Sequence, residues 1–204
     1  MPSLKKITLT EQKRSDIINA AAEEFRLIGY AGARIDKIAK RANVSKRTLY
    51  KHFASKELLF QAIIELVMAG YQESEIAEYN PDVPIKQQLI DAVTAYVAVI
   101  SDDSNISLTR VVLSEFLRDQ AASRKAFERS EMHHKPFADL IKLAMKDGKL
   151  REVDAEYATI QLSALVKAFL FWPKFLVGEK KPDKAQMHLI IEDSVAMFLS
   201  HYKV

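Results

Sequence analysis

The chain has 204 residues, 49% of them hydrophobic, no cysteine and a formal charge of +3. That length allows one or two domains with a sizeable core, and the lack of cysteine excludes a disulfide framework, a thiolate nucleophile and a cysteine-based metal site. Residues 1–60 hold 13 Lys/Arg against 6 Asp/Glu, and residues 61–204 hold 17 against 21, so the positive charge gathers at one end, as a nucleic-acid-binding segment requires.

Five glycines and six prolines in all favour an all-α fold. No apolar run approaches the roughly 20 residues of a membrane span, and the N-terminus has no apolar signal-peptide core, so a cytoplasmic protein is expected. Residues 1–9 read as a polar arm whose Lys5 and Lys6 face either solvent or phosphates. The first helix is expected from Thr10, as N-cap, to about Ile28, with Gly29 ending it. Its inner stripe is Ile17, Ile18, Ala21, Ala22 and Phe25.

Residues 35–60, IDKIAKRANVSKRTLYKHFASKELLF, carry the strongest local signal. Ile35, Ile38 and Ala39 have helical apolar spacing. Asn43 tolerates the left-handed backbone of a helix end, and Val44 plugs the turn. Ser45 is an N-cap for a helix over Lys46–His52. Leu49 and Phe53 form its inner face, and Lys46, Arg47, Thr48, Tyr50, Lys51 and His52 make up the rest. Such a helix suits the major groove: cations answer the phosphates, and short donors and acceptors answer the base edges. Charge alone would equally describe a solvated basic helix; the turn chemistry and the serine cap favour DNA. Ser55 caps a fourth helix from Lys56 to about Tyr79, with Leu58, Leu59, Ala62, Ile63, Leu66 and Val67 on its apolar face.

Asn80-Pro81-Asp82-Val83-Pro84 is the clearest break, with Pro84 opening the fifth helix. A sixth helix follows the polar turn Ser101–Ser104. A seventh spans about Ser123–Met145, kinked or split by Pro136 near His133-His134. An eighth runs from Asp154 to about Phe175, apolar on more than one side and interrupted by Pro173, and a ninth from about Asp183 to Tyr202. Adjacent His133 and His134 diverge by about 100° on a helix and cannot share an ion, so no metal site is expected. Without a Gly-rich phosphate loop or a zinc helix, and with the carboxylate pairs Asp102-Asp103 and Glu128/Glu131 at exposed positions, an enzyme is not expected.

The stretch IAKRANVSKRTLYKHFASKELLF resembles the DNA-binding signature of the TetR family of bacterial transcriptional regulators. Ile38-Ala39, Ala42, Val44-Ser45, Thr48-Leu49-Tyr50, His52-Phe53 and Ser55-Lys56-Glu57 carry the match, which covers roughly residues 10–65. The chain departs from it at Asn43, where the family often has Gly, and at Arg34, where it usually has a capping Thr. The resemblance implies a nine-helix TetR-like architecture: a helix-turn-helix domain over residues 1–55 and a C-terminal helical effector-binding and dimerisation domain over residues 56–204.

The expected function is a homodimeric repressor that binds double-stranded DNA at a palindromic operator and is released by an unknown small-molecule effector, without a cofactor. The alternative is an activator or accessory DNA-binding protein on the same fold that uses no small molecule. Arg47, Thr48 and Tyr50 are expected at or near bases, with Ser45 as cap, and Arg34, Lys46, Lys51, His52 and Lys56 at phosphates. By resemblance, Tyr96, Arg110, Phe116, His133, Phe137, Gln161, Phe169 and Trp172 lie on the helices around a ligand cavity; aromatics at helical spacing, however, are more often plain core. The resemblance also implies that the last two helices pair across a two-fold axis, with Leu165, Phe169, Trp172, Met187, Ile191, Val195 and Phe198 expected as interface residues; the bland alternative is that these helices only close the protomer core.

Overall fold

The computed structural model describes residues 8–72, 76–118 and 135–204. Lys5, Lys6, Ser123, Glu128, Glu131, His133 and His134 lie outside the described residues.

Thr8 starts α1 (Leu9–Gly32). Its hydroxyl accepts from the Glu11 amide at 3.2 Å, and the Glu11 carboxylate accepts from the Thr8 amide at 2.7 Å. This reciprocal cap satisfies two amides at the helix start. Thr10, the expected cap, lies inside the helix, because Thr8 and not Thr10 has a glutamate three residues on. Gly29 does interrupt α1, at φ 74° and ψ 162°, backbone that is essentially closed to other residues. The chain then makes one more turn. The Lys56 ammonium holds that turn by donating to the carbonyls of Tyr30, Ala31 and Ala33 at 2.8, 3.3 and 3.1 Å.

Next come α2 (Ile35–Arg41), α3 (Lys46–His52) and α4 (Lys56–Gln72). Asn43 adopts φ 53°, the left-handed conformation expected of it. The described part of α4 ends at Gln72, and residues 76–80 have no regular structure, so the helix does not reach Tyr79 as expected. Side chains anchor that segment: Tyr79 donates to Asp147 at 2.6 Å, and the Asn80 amide donates to the Gln88 carbonyl oxygen at 2.8 Å.

The remaining helices are α5 (Ile85–Ile100), α6 (Asp103–Phe116), α7 (Lys135–Lys146), α8 (Ala155–Leu170), α9 (Trp172–Val177) and α10 (Lys184–Tyr202). The described residues thus form ten helices against the nine expected. The extra one comes from a break at Phe171 (φ −116°, ψ −59°). Pro173 lacks an amide donor, and its ring would clash with the carbonyl four residues back, so α8 ends before it and α9 starts afresh.

The chain divides into two units, one of Met1–Val67 with Ser107–Ala126 and one of Met68–Ile106 with Phe127–Val204. In the first, Ile17, Ile18, Ala21 and Phe25 of α1 are buried together with Ile38 of α2, Leu49 of α3, Phe53, and Leu59 and Ile63 of α4. Leu58 and Leu66, expected inside, face outward. In the second, α8 packs against α5, α7 and α10. Leu89, Val93, Ile141, Leu162, Val166 and Val195 make the centre of that core. The end of α10 is tied to the loop after α7, where the Arg151 amide donates to the Tyr202 carbonyl at 2.8 Å.

Candidate nucleic-acid interface

The turn between α2 and α3 sets the geometry. The Ser45 hydroxyl accepts from the Thr48 amide at 3.0 Å and lies 2.8 Å from the Thr48 hydroxyl. This caps α3 and fixes both short side chains at its first turn. Leu49 and Phe53 are buried beneath, with the Arg14 guanidinium 5.1 Å from the centre of the Phe53 ring. Lys46, Arg47, Tyr50 and Lys51 are left exposed, Thr48 and His52 half-buried. One seven-residue helix therefore presents cations, a phenol and a hydroxyl on one side and is plugged into the core on the other.

Several of the predicted side chains have partners within the unit. Lys46 pairs with Asp36 of α2 at 2.9 Å; this hydrogen bond and charge hold the Asp36 carboxyl below the usual carboxylate range and raise Lys46. Both ends are open to water, where such a pair is weak, so a phosphate can replace the carboxylate. Arg34 is exposed at the start of α2 and makes no side-chain cap there. Lys56 is different. Its ammonium, expected at a phosphate, is bound to three carbonyls at the end of α1 and sits 4.7 Å from the centre of the Tyr30 ring. The residues that sequence reasoning missed here are Asp36, and Glu24, which is buried and 3.6 Å from Arg41. Both pairings cross between helices and leave no short-range signal.

Of the expected pocket residues, the structure brings Tyr96 and Phe137 together, both buried, with ring centres 6.2 Å apart. The ammonium of Lys167, a half-buried residue of α8, lies 5.6 Å from the centre of the Tyr96 ring. Gln161 is half-buried and accepts from the Tyr202 hydroxyl. Phe169 and Trp172 face outward. Arg110 is exposed and Phe116 half-buried on the part of α6 that belongs to the first unit. His133 lies outside the described residues.

Of the expected interface residues, Leu165 and Met187 are half-buried, and Phe169 and Trp172 are exposed. Ile191, Val195 and Phe198 differ from expectation: at 4%, 0% and 3% exposure they belong to the protomer's own core. The outward apolar residues of the two helices are Tyr157, Ile160 and the expected Phe169 on α8, and Leu189 and Met197 on α10. Their signal was a second apolar face, turned away from the first at helical spacing. Among the described residues no group of three metal-ligating side chains gathers, and no helix is long and apolar enough to cross a membrane.

Comparison with known proteins fits this layout. Residues 17–63 match the family of bacterial regulatory proteins of the tetR type, and residues 87–204 match the C-terminal domain of AefR-like transcriptional repressors. The HTH-type transcriptional repressor NicS of Pseudomonas putida is 30% identical over 87 residues, 43% of this chain and 41% of that protein. The chain thus spans less than half the length of that relative. A TetR family regulator from Pseudomonas syringae pv. tomato is 33% identical, with a TM-score of 0.82 over 96% of this chain and all of that one. The flavonoid-responsive regulator FrrA is 25% identical, with a TM-score of 0.76 over 94% of this chain and 97% of that one. With a family model matched over more than half its length and a solved relative aligned along nearly all of it, this chain belongs to the TetR family of bacterial transcriptional regulators.

Proposed function

We propose that the protein is a cytoplasmic homodimeric repressor that binds a palindromic operator through residues 1–55 and is released by a small molecule held in residues 56–204. The observation that carries the DNA half is α3: a serine-capped helix anchored by Leu49 and Phe53, with Arg47, Thr48 and Tyr50 presented outward. Those three side chains read bases, while Lys46, Lys51, His52 and Arg34 hold phosphates. Ser45 and Lys56 act by shaping the domain, one as the cap of α3 and the other as the cap of α1.

The outward apolar residues of α8 and α10 support the dimer, since a second copy would cover them. Two copies of α3 would then enter successive major grooves about 34–36 Å apart. Repression is supported by the AefR-like repressor model and by NicS, and effector control by the likeness to a flavonoid-responsive regulator. The effector releases DNA to the extent that it prefers the non-binding spacing of the two α3 helices.

The test is selection of genomic fragments by the purified protein at physiological salt. Enrichment of one palindrome is expected, bound by the wild type and about 10- to 100-fold more weakly by Tyr50→Ala, the loss of one good base contact. A promoter that falls silent when its palindrome is occupied makes the protein a repressor. Fragments without a shared sequence, or a Tyr50→Ala protein that binds as the wild type does, would overturn the assignment of α3.

A further inference from the structure

Among the described residues, the partly buried lysines are matched by oxygen, with one exception. In the first unit the Lys56 ammonium has three carbonyls. In the second, Lys174 has the Asp103 carboxylate and the Ser101 carbonyl, each at 2.7 Å. Lys167 has neither. Among the described residues no carboxylate lies within ion-pair distance of its ammonium, which sits 5.6 Å from the centre of the Tyr96 ring.

The surroundings of Lys167 are apolar. Its neighbours one turn along α8 and just beyond, Leu170 and Phe171, are buried, as is Ser163, whose hydroxyl already donates to the Ile160 carbonyl. Tyr96, under the ammonium, packs toward Phe137. Burial with no counter-charge pushes Lys167 below the ordinary lysine value. A cation removed from water and left without an anion is costly, and a ring face recovers only part of that cost.

We propose that the second unit binds a small organic carboxylate whose charge is taken by Lys167 and whose apolar body lies along Tyr96 and Phe137. The inference rests on the effector reading above and adds the ligand's chemical class. The carboxylate supplies the oxygen that the fold supplies to Lys56 and Lys174. The apolar body meets the buried rings, and the match of one charge to one charge discriminates acids from their neutral isosteres.

The test is thermal unfolding of the full-length protein with octanoate and benzoate, set against octanol and benzamide. At ten times its dissociation constant, a bound ligand raises the midpoint by about 3–6 °C for a chain of this size. The acids are expected to do so and the neutral compounds not. Lys167→Met should weaken the acids by about 10- to 100-fold, and Lys167→Arg should restore much of the binding. An unfolding midpoint for unliganded Lys167→Met at or above that of the wild type shows that the variant folds and that the lysine serves a ligand. Equal stabilisation by acids and neutral isosteres, kept in Lys167→Met, would overturn the charge inference and leave an effector pocket in place. Absence of stabilisation by either class would overturn the inference and the pocket with it. If Lys167→Met instead loses the dimer by size-exclusion chromatography, a carboxylate of the partner subunit is the counter-charge, and the ligand inference falls.

Discussion

Tyr30 sits at the end of α1 with its ring 5.4 Å from Phe25 and 4.8 Å from Phe60, and its hydroxyl donates to Glu57 at 3.3 Å. Burial, with Glu57 and Glu115 close by, pushes its pKa up to about 12; burial and Asp147 do the same for Tyr79. Both folded values lie above the value of about 10 for an unfolded tyrosine, so the folded state keeps these protons longer. Their contribution to stability is complete below pH 10 and lost as the pH rises toward 12. The denaturant midpoint is therefore expected to fall across that window, with part of the fall removed by Tyr30→Phe and part by Tyr79→Phe. Ultraviolet titration at the phenolate band should show Tyr30 and Tyr79 among the tyrosines that ionise late, with one fewer late-ionising tyrosine in each variant. A midpoint that stays flat to pH 12 would contradict both assignments.

The elements themselves were largely written in local chemistry. Ser45, Asn43, Asp154 and Asp183 mark helix ends from the sequence, because caps and left-handed turns use short-range rules, and each is where those rules put it. What was not legible depended on partners distant along the chain. Lys56 reads as a phosphate ligand by its place before an apolar helix, yet its ammonium closes the end of α1, 23 to 26 residues earlier. The two roles separate by experiment. Lys56→Met should cost about 1.5–3 kcal/mol of stability, as loss of charged hydrogen bonds does. The slope of log affinity against log salt should stay unchanged, whereas Lys51→Met should lower that slope by about 0.9. A slope change in Lys56→Met would return that ammonium to the DNA.

For the molecule as a whole, family membership places the chain among non-enzymatic DNA-binding regulators, and the proposed dimer rests on the layout of α8 and α10. The sequence shows more than one apolar side on the eighth helix but does not say which side is core. Packing of α10 against α5 and α8 orients it: Val195 and Phe198 point in, Leu189 and Met197 point out. Leu189→Asp together with Met197→Asp should leave far-ultraviolet circular dichroism intact, halve the mass seen by sedimentation, and weaken operator binding by about 10²- to 10⁴-fold through lost bivalency. Val195→Asp should unfold the protomer by burying an unpaired charge. A double variant that stays dimeric would place the two-fold axis elsewhere.

The stretch Asn80–Pro84 has the composition of a linker, with two prolines flanking Asp82 and Val83. Buried Gln88 makes it something else. Its side-chain amide takes the Asn80 amide and gives to the Asn80 and Val83 carbonyls, all at 2.8 Å, and the Asn80 side chain caps the Asp82 amide at 2.9 Å. A protease must draw several residues of extended chain into its cleft, and cleavage in a native protein therefore follows local opening rather than amino-acid composition. With its backbone polar groups stapled from beneath, the segment that looks most open to nicking is one that a protease would find closed. For the same reason it is a poor place to insert a tag or a fused domain.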